Sequence, residues 1–405
     1  MRLIRLGWPP DAATAAAWEG LRVAAPTEAV FLTPEWLGAW WRHLGPEGRR
    51  SGFRGRTPGS AAGPLLFAMM EGRKPRGLAP LYRAPLGSTG LRALRLLGTG
   101  VSDYLDLLLA PEPAPRTAAL RTLMEGLVKR QAGWDALDLR GLPAESPTVP
   151  ELARLAGELG LPCAIRPGYA RPAIALDGTF EGFLKSKPGR FRYNLRSRLK
   201  RLGQVGEVRF RTVACPADVP AALDALVDLH ARRWSGQHTA TIFSSSERGR
   251  RFYADACRRY AARGLLDLTL LEAGDRVVAG SLSFVDRDTW YYYLPAWDPD
   301  LAALAPSSLL LAHLVEAAYA RGLRRFDFML GEESYKARWA TEERRTVNLV
   351  VGGPGVRGRA AFAALTMRLR ARDRARRSPF LQRARRYGLG RAKALLQYAG
   401  RAAGV

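Results

Sequence analysis

The chain is poor in the residue types that usually announce a site. Among 405 residues there are three Cys (Cys163, Cys215, Cys257) and four His (His43, His230, His238, His313). The cysteines lie far apart and in no CxxC spacing, which excludes a disulfide scaffold and reads as free thiols, buried or half-buried. The histidines form no HxxxH or HxH cluster, so no metal site is expected. No stretch approaches the ~20 apolar residues that a membrane-spanning helix needs. The opening "MRLIRLGWPP" has no apolar signal region and no cleavage site, so the expected compartment is the cytoplasm. Acid is scarce as well: 37 Asp and Glu face 63 Lys and Arg, a formal charge of +26.

What is present is a globular composition, 47% apolar and 25% charged, long enough for two domains. Most of the excess charge is Arg in a chain dense in Ala, Gly and Leu, a bias that GC-rich codons alone could produce. It still favours anionic partners: phosphorylated cofactors, nucleic acid or an anionic membrane surface.

Periodicity gives an α/β reading, with mixed sheets flanked by helices. In the first half "LIRLGW" reads as a strand, followed by helices over "DAATAAAWEGLRVAA" and "TPEWLGAWWRHLG", with Thr33 as N-cap and Pro34 at the first helical position. "PLLFAMMEG" and "RGLAPLYRAPL" form a hairpin, "YLDLLLA" a strand, "PAPRTAALRTLMEGLVKRQ" a helix, and "WDALDLRGLP" a half-buried strand. The second half follows with a strand at "GEVRFRTV", two helices, three strands joined by tight turns, a helix stopped by Gly322, and a strand at "RRFDFML". A short helix in "ESYKARWATEE" and a closing strand at "TVNLVVGG" complete it. In both halves a helix leads into an Asp-bearing strand, "WDALDLRG" and "RRFDFMLG", which suggests a tandem duplication. Four segments are expected: an N-terminal half over 1–178, a basic interdomain helix over 179–206 with a Leu195, Leu199, Leu202 stripe, a C-terminal half over 207–353, and a basic tail over 354–405, helical or disordered.

Several quoted segments carry a resemblance. "FLTPEWLGAWWRHLG", "LGTGVSDYLDLLL", "LHARRWSG", "YYYLPAWDPDLAALAPSSLLLAHLVEAAYARG" and "FDFMLGEESYKARW" together resemble the cellulose-biosynthesis-protein-like branch of the GNAT acyltransferase superfamily. That branch is itself similar to the FemAB aminoacyltransferases. The resemblance spans about residues 1–350. It implies a tandem GNAT-like fold and acyl transfer, from acetyl-CoA or another acyl-CoA, to an amine or hydroxyl. The implied acceptor is a small molecule or an envelope or polysaccharide precursor in the cleft between the halves. Under the FemAB-like alternative the donor is aminoacyl-tRNA, which the positive charge would also suit. A third reading is a non-catalytic scaffold, held by its basic tail at nucleic acid or at an anionic membrane on the inner face.

The resemblance also implies where the donor lies. Tyr293 and Leu294 fall on the splayed strand, and Ser307, Ser308 and Leu309 on the first turn of the next helix, where free N–H groups and the dipole favour a pyrophosphate. The glycine-rich loop usual in GNAT enzymes is missing; "DLAALAPSS" stands there instead. Transfer needs a base, a stabilised oxyanion and an acid for the thiolate. Asp327, Glu332, Tyr335 and Lys336 are the catalytic candidates, with Glu333 beside them, because they lie at the C-terminal end of a strand. Asp327 is expected to share a strand face with Met329. Arg338 and Trp339 are expected to pack on the sheet. Arg233 and Trp234, and Asp103 and Tyr104, are candidate acceptor-binding residues. Each has an ordinary structural alternative: a solvated turn, a core aromatic or a helix cap.

Overall fold

The computed structural model describes residues 1–46, 63–130, 133–213, 215–234 and 242–377. The chain forms two compact units: Met1–Tyr169 together with the segment from Arg345, and Ala170–Arg344.

The first unit begins with β1 (Arg2–Leu6), α1 (Ala12–Ala24) and α2 (Pro34–Leu44). Asp11 caps α1 by accepting from the Thr14 N–H at 2.8 Å, and Thr33 caps α2 by accepting from Trp36 N–H at 3.1 Å. β2 (Leu65–Glu71), β3 (Lys74–Pro85), β4 (Arg92–Leu96), β5 (Leu108–Leu109), α3 (Pro113–Arg130), β6 (Ala136–Pro143), α4 (Thr148–Glu158) and β7 (Cys163–Ala175) follow. The expected strand "YLDLLLA" therefore shrinks to two residues. Asp106 inside it is buried and accepts from Leu107 N–H, Thr27 and Ser146, which holds its backbone out of a ladder.

The second unit contains α5 (Phe180–Ser186), α6 (Gly189–Leu202), β8 (Val208–Thr212), α7 (Val219–Trp234), α8 (Ile242–Ser245), α9 (Glu247–Ala262), β9 (Leu266–Ala273), β10 (Arg276–Asp286), β11 (Thr289–Trp297), α10 (Pro306–Ala320), β12 (Arg325–Asp327) and α11 (Ser334–Trp339). The chain then returns to the first unit along β13 (Glu342–Gly352) and ends its described course in α12 (Gly355–Arg377).

The strand order in the first unit is β1-β2-β3-β4-β6-β13-β7, and in the second β7-β12-β11-β10-β9-β8. Each unit contains a parallel pair joined by a crossover helix: β4–α3–β6 and β11–α10–β12. The remaining pairs of the second sheet are antiparallel. This is a mixed α/β fold of tandem GNAT-like character, and the repeated helix-to-Asp-strand pattern marks the repeated crossover.

Three expected segments are placed differently. The strand at "TVNLVVGG", expected to complete the second half, lies in β13 and pairs with β6 in the first unit. The basic helix α6 lies within the second unit, where Phe191, Leu195 and Leu202 face its core; Leu199 is 44% exposed and is not part of the seam. The segment from 354 begins as a packed helix: Ala361, Leu365 and Leu369, four residues apart, share one face of α12 and pack against Leu86, Ala93, Ala136 and Val350. Among the described residues no helix is long and apolar enough to cross a membrane.

Candidate active site

The parallel ladder between β11 and β12 is short. It pairs Thr289, Trp290 and Tyr291 with Arg325, Phe326 and Asp327. There β12 ends, while β11 continues to Trp297. The edge of β11 past Tyr291 therefore faces a wedge rather than a strand, and its alternate N–H and C=O groups point into it. A bulge shapes this edge. Leu282 pairs with Leu294 but Ser283 pairs with Tyr292, which leaves Tyr293 as the extra residue.

What ends β12 is local. Met329 has φ of 61°, a left-handed conformation that takes the chain off the strand. Asp327 stabilises that turn: Oδ1 accepts from Met329 N–H at 2.7 Å, and Oδ2 lies 3.7 Å from the buried Arg171 guanidinium. Asp327 and Met329 thus do not share a strand face as expected. Asp327 is 1% exposed and holds the backbone. The matching aspartate of the first unit, Asp138, is also buried and paired with two arginines. The repeated Asp is a structural acceptor in both units.

The turn after β12 is stapled to α11. Lys336, itself buried, donates to Leu330 C=O at 2.8 Å and pairs with Glu333 at 3.0 Å. Gly331 makes room for this: a Cβ there would lie 2.8 Å from Lys336 Nζ. Lys336 is therefore engaged in structure. Glu333 is half-exposed at the start of α11, and Glu332 is exposed.

Tyr335 is the candidate that points inward. Burial pushes its hydroxyl well above the usual tyrosine range, with Tyr292 and Glu333 adding to the shift and Arg233 opposing it. Tyr292, fully buried, is likewise raised by burial and opposed by Arg233. Arg233, near the end of α7, lies over the Trp297 indole, 3.2 Å from the ring centroid. Burial lowers its pKa to about 10, with Tyr335, Tyr292 and Glu333 working against that shift, so it is a cation at neutral pH. Three groups thus gather in the second unit: two protonated phenols and one stacked guanidinium. His230, one turn earlier, is lowered to about 4 by burial and then by Arg233; it is neutral and bonded to Ser244 at 3.0 Å. The Trp234 side chain lies outside the described residues.

Tyr293 turns away from Tyr292. Its hydroxyl bonds Tyr253 at 3.0 Å and its ring packs on Phe284 at 5.4 Å. Leu294 is half-buried on the same strand. At the start of α10, Leu309 is core, while Ser308 lines a pocket of about 60 Å³ with Asn194 and Arg198 of α6 and Arg338 and Trp339 of α11. Trp339 is buried, as expected, and stacks on Phe183; Arg338 is exposed at this pocket rather than packed on the sheet. The loop before α10 is a 3₁₀ turn over Pro299–Leu304. Asp298 caps it and pairs with Arg232 at 2.9 Å and with Arg276. It ends at Ala305 with φ of 45°. Pro306 has no N–H, Ser308 N–H is used by Ala305 C=O at 2.9 Å, and Ser307 lies between them. The backbone cradle is correspondingly reduced, and side-chain guanidinia stand around it instead.

Residues 189–337 match the acetyltransferase (GNAT) domain. The wedge, the bulge and the α10 start all lie inside that matched segment. Among solved structures the chain is similar to one titled FemX, at 11% identity, covering 86% of this chain and 97% of that one, with a TM-score of 0.61. It is also similar to a conserved protein of unknown function from Bacteroides thetaiotaomicron VPI-5482, at 13% identity, 84% and 97% coverage, and a TM-score of 0.52. At these identities the likeness is one of fold. Comparison with curated proteins gives no match.

Asp103 and Tyr104 belong to the first unit, where Tyr104 is 1% exposed and packs against Phe31 at 6.5 Å. Tyr104 is core there. Tyr292, Trp297 and Arg338 are residues at the site that sequence reasoning missed. Tyr292 stood beside the chosen Tyr293, but only the bulge decides which of the two turns inward. Arg198 and Arg338 are 140 positions apart, and nothing in the sequence pairs them.

Proposed function

We propose that the second unit transfers an acyl group from an acyl-CoA to an amine or hydroxyl at the wedge between β11 and β12. The observation that carries this reading is the wedge itself, with Tyr335, Tyr292 and Arg233 in the GNAT domain that forms it. Acyl-CoA would supply an activated thioester. The site fits it in two respects: the edge of β11 beyond the end of its ladder with β12 suits the pantetheine amides, and Arg198, Arg338 and Ser308 suit its phosphates.

Tyr335 holds its proton at neutral pH and gives it to the departing thiolate, so sulfur leaves as a thiol; the proton that the attacking amine or hydroxyl loses restores the phenol. Arg233, fixed by Trp297, orients an acceptor that carries a negative group and offsets charge developing nearby. Asp327 and Lys336 keep the turn after β12 in place and so position Tyr335. Transfer is direct from thioester to acceptor; Cys257, buried in α9 with its thiol raised far above the usual range by burial, is unsuited to carry the acyl group. Thiol release from acetyl-CoA and longer acyl-CoAs, with a panel of acidic amine and hydroxyl acceptors, tests this. Turnover lost in Tyr335→Phe supports it, and turnover unchanged in that variant sinks the assignment.

One observation favours a second reading. Pro306 and the engaged Ser308 N–H leave the α10 start a weaker anion cradle than an open helix terminus. A FemAB-like donor, aminoacyl-tRNA, would not need that cradle in the same form. Strongly salt-dependent binding of charged tRNA, without acyl-CoA binding, would favour it. The acceptor class, a small molecule or an envelope or polysaccharide precursor, belongs to either reading.

A further inference from the structure

Two neighbouring residues in the last turn of α7 meet two neighbouring residues where β11 ends. Arg232 Nη2 lies 2.9 Å from Asp298 Oδ2, and the Arg233 guanidinium lies 3.2 Å from the centroid of the Trp297 ring. Consecutive side chains leave a helix about 100° apart and leave an extended strand on opposite sides. The two contacts thus use different faces of both elements, and a slip of one residue on either element would break both.

The ion pair is the anchored member. Asp298 is fully buried; its N–H donates to Val278 C=O of β10 at 2.9 Å, and its Oδ1 accepts from Asp300 N–H at 3.1 Å. Arg276, at the start of β10, pairs with the same Oδ2 and with Asp300 at 2.9 Å. A carboxylate held this far from water keeps its cations close, because leaving it unpaired is costly. Arg233 stands one residue from the end of α7, where helices fray. Attraction to the ring face sets its height over Trp297 more than its place across the ring. The pair next door fixes the backbone that carries it. Asp298 belongs to the donor side as well: it is the N-cap of the 3₁₀ turn Pro299–Leu304, which leads through Ala305 into α10. One buried carboxylate therefore ties the cation near Tyr335 and Tyr292 to the turn that sets the start of α10.

We propose that Asp298 is a positioning residue that fixes Arg233 over Trp297 through Arg232, and so sets the preference of the site for an acceptor carrying a carboxylate or phosphate group. Asp298 itself touches no substrate. The inference rests on the reading of Arg233 as the cation that orients the acceptor.

The test uses the full chain labelled with 5-fluorotryptophan. Trp297→Phe assigns the Trp297 fluorine line, and Arg233→Ala defines its position without the cation. Arg232→Ala and Arg232→Gln should both fold, because Asp298 keeps Arg276 as a partner. Their Trp297 line is expected to move most of the way to its position in Arg233→Ala, and less in Arg232→Lys. Arg276→Ala, which leaves the Arg232–Asp298 pair in place, should not move it. Malonate and inorganic phosphate are then titrated against the same line, at ionic strength matched with chloride. The expected result is a saturable shift whose apparent affinity weakens about tenfold in Arg232→Ala, the scale of one charge-assisted hydrogen bond. A response to malonate alone assigns a carboxylate acceptor, one to phosphate alone a phosphate acceptor, and one to both an anion of either kind. An unmoved Trp297 line in the Arg232 variants would overturn the positioning role. No anion response in the wild type, or an equal one in Arg232→Ala, would overturn the acceptor preference. Neither arm uses acyl-CoA, so the transfer reading stands or falls separately, by thiol release.

Discussion

Tyr335 and Asp327 sit eight residues apart and call for opposite experiments. Tyr335→Phe removes a proton donor from a site whose shape stays intact. Its thiol-release rate should fall by about 10²- to 10⁴-fold, with the KM for acyl-CoA little changed. Because burial raises the Tyr335 pKa well above 10, this proton is retained throughout the neutral and mildly alkaline range. The wild-type rate should therefore show no loss between pH 7 and about 9 that disappears in Tyr335→Phe. Asp327→Ala instead breaks a buried ion pair and the Met329 turn. It should cost about 3–5 kcal/mol of stability, read as a lowered urea midpoint. A full-stability, inactive Asp327→Ala would mean that Asp327 does chemistry after all.

A third residue-scale test concerns Asp106. Burial raises its pKa to about 6, against the hydrogen bonds from Ser146, Thr148, Leu107 and Thr27. A carboxyl with a raised folded pKa favours folding most below its unfolded value near 4. That contribution is lost as pH climbs to about 6, a change of about 3 kcal/mol. Asp106→Asn should flatten the first unit's stability between pH 4 and 7. An unchanged pH slope in urea unfolding would show that Asp106 is ionised without penalty.

At the scale of elements, what was legible was periodicity, and what was not was register. α1, α2, α7, α9 and α10 follow from caps and apolar spacing, and strands β8 to β12 follow from alternation and turn residues; β13 is legible as a strand, but not its pairing with β6 in the first unit. The three-residue length of β12 is not legible either, because nothing in "FDFML" shows that Met329 turns left-handed. The Tyr293 bulge is equally invisible, yet it decides that Tyr292 faces Arg233. The wedge was anticipated through family resemblance, whereas the pocket beside Ser308 is made by α6 meeting α10 and α11. That meeting makes a prediction for these elements: Arg198→Ala with Arg338→Ala should raise the KM for acyl-CoA about tenfold or more and leave kcat near wild type. A fall in kcat at unchanged KM would place these arginines elsewhere in the reaction.

For the whole molecule, two units repeat one crossover and use it in two ways. In the second, β11 runs on past β12 and leaves an open edge; in the first, Arg95 and Asp138 close the gap with their side chains. The formal charge of +26 is consistent with both readings of the donor and chooses neither. The deciding measurement is calorimetric titration of the full chain with acetyl-CoA and longer acyl-CoAs, beside the Arg198→Ala, Arg338→Ala variant. Saturable heat in the wild type, weakened about tenfold or more in the variant, is the predicted result. No heat with any acyl-CoA would contradict the claim that this wedge is an acyl-CoA site.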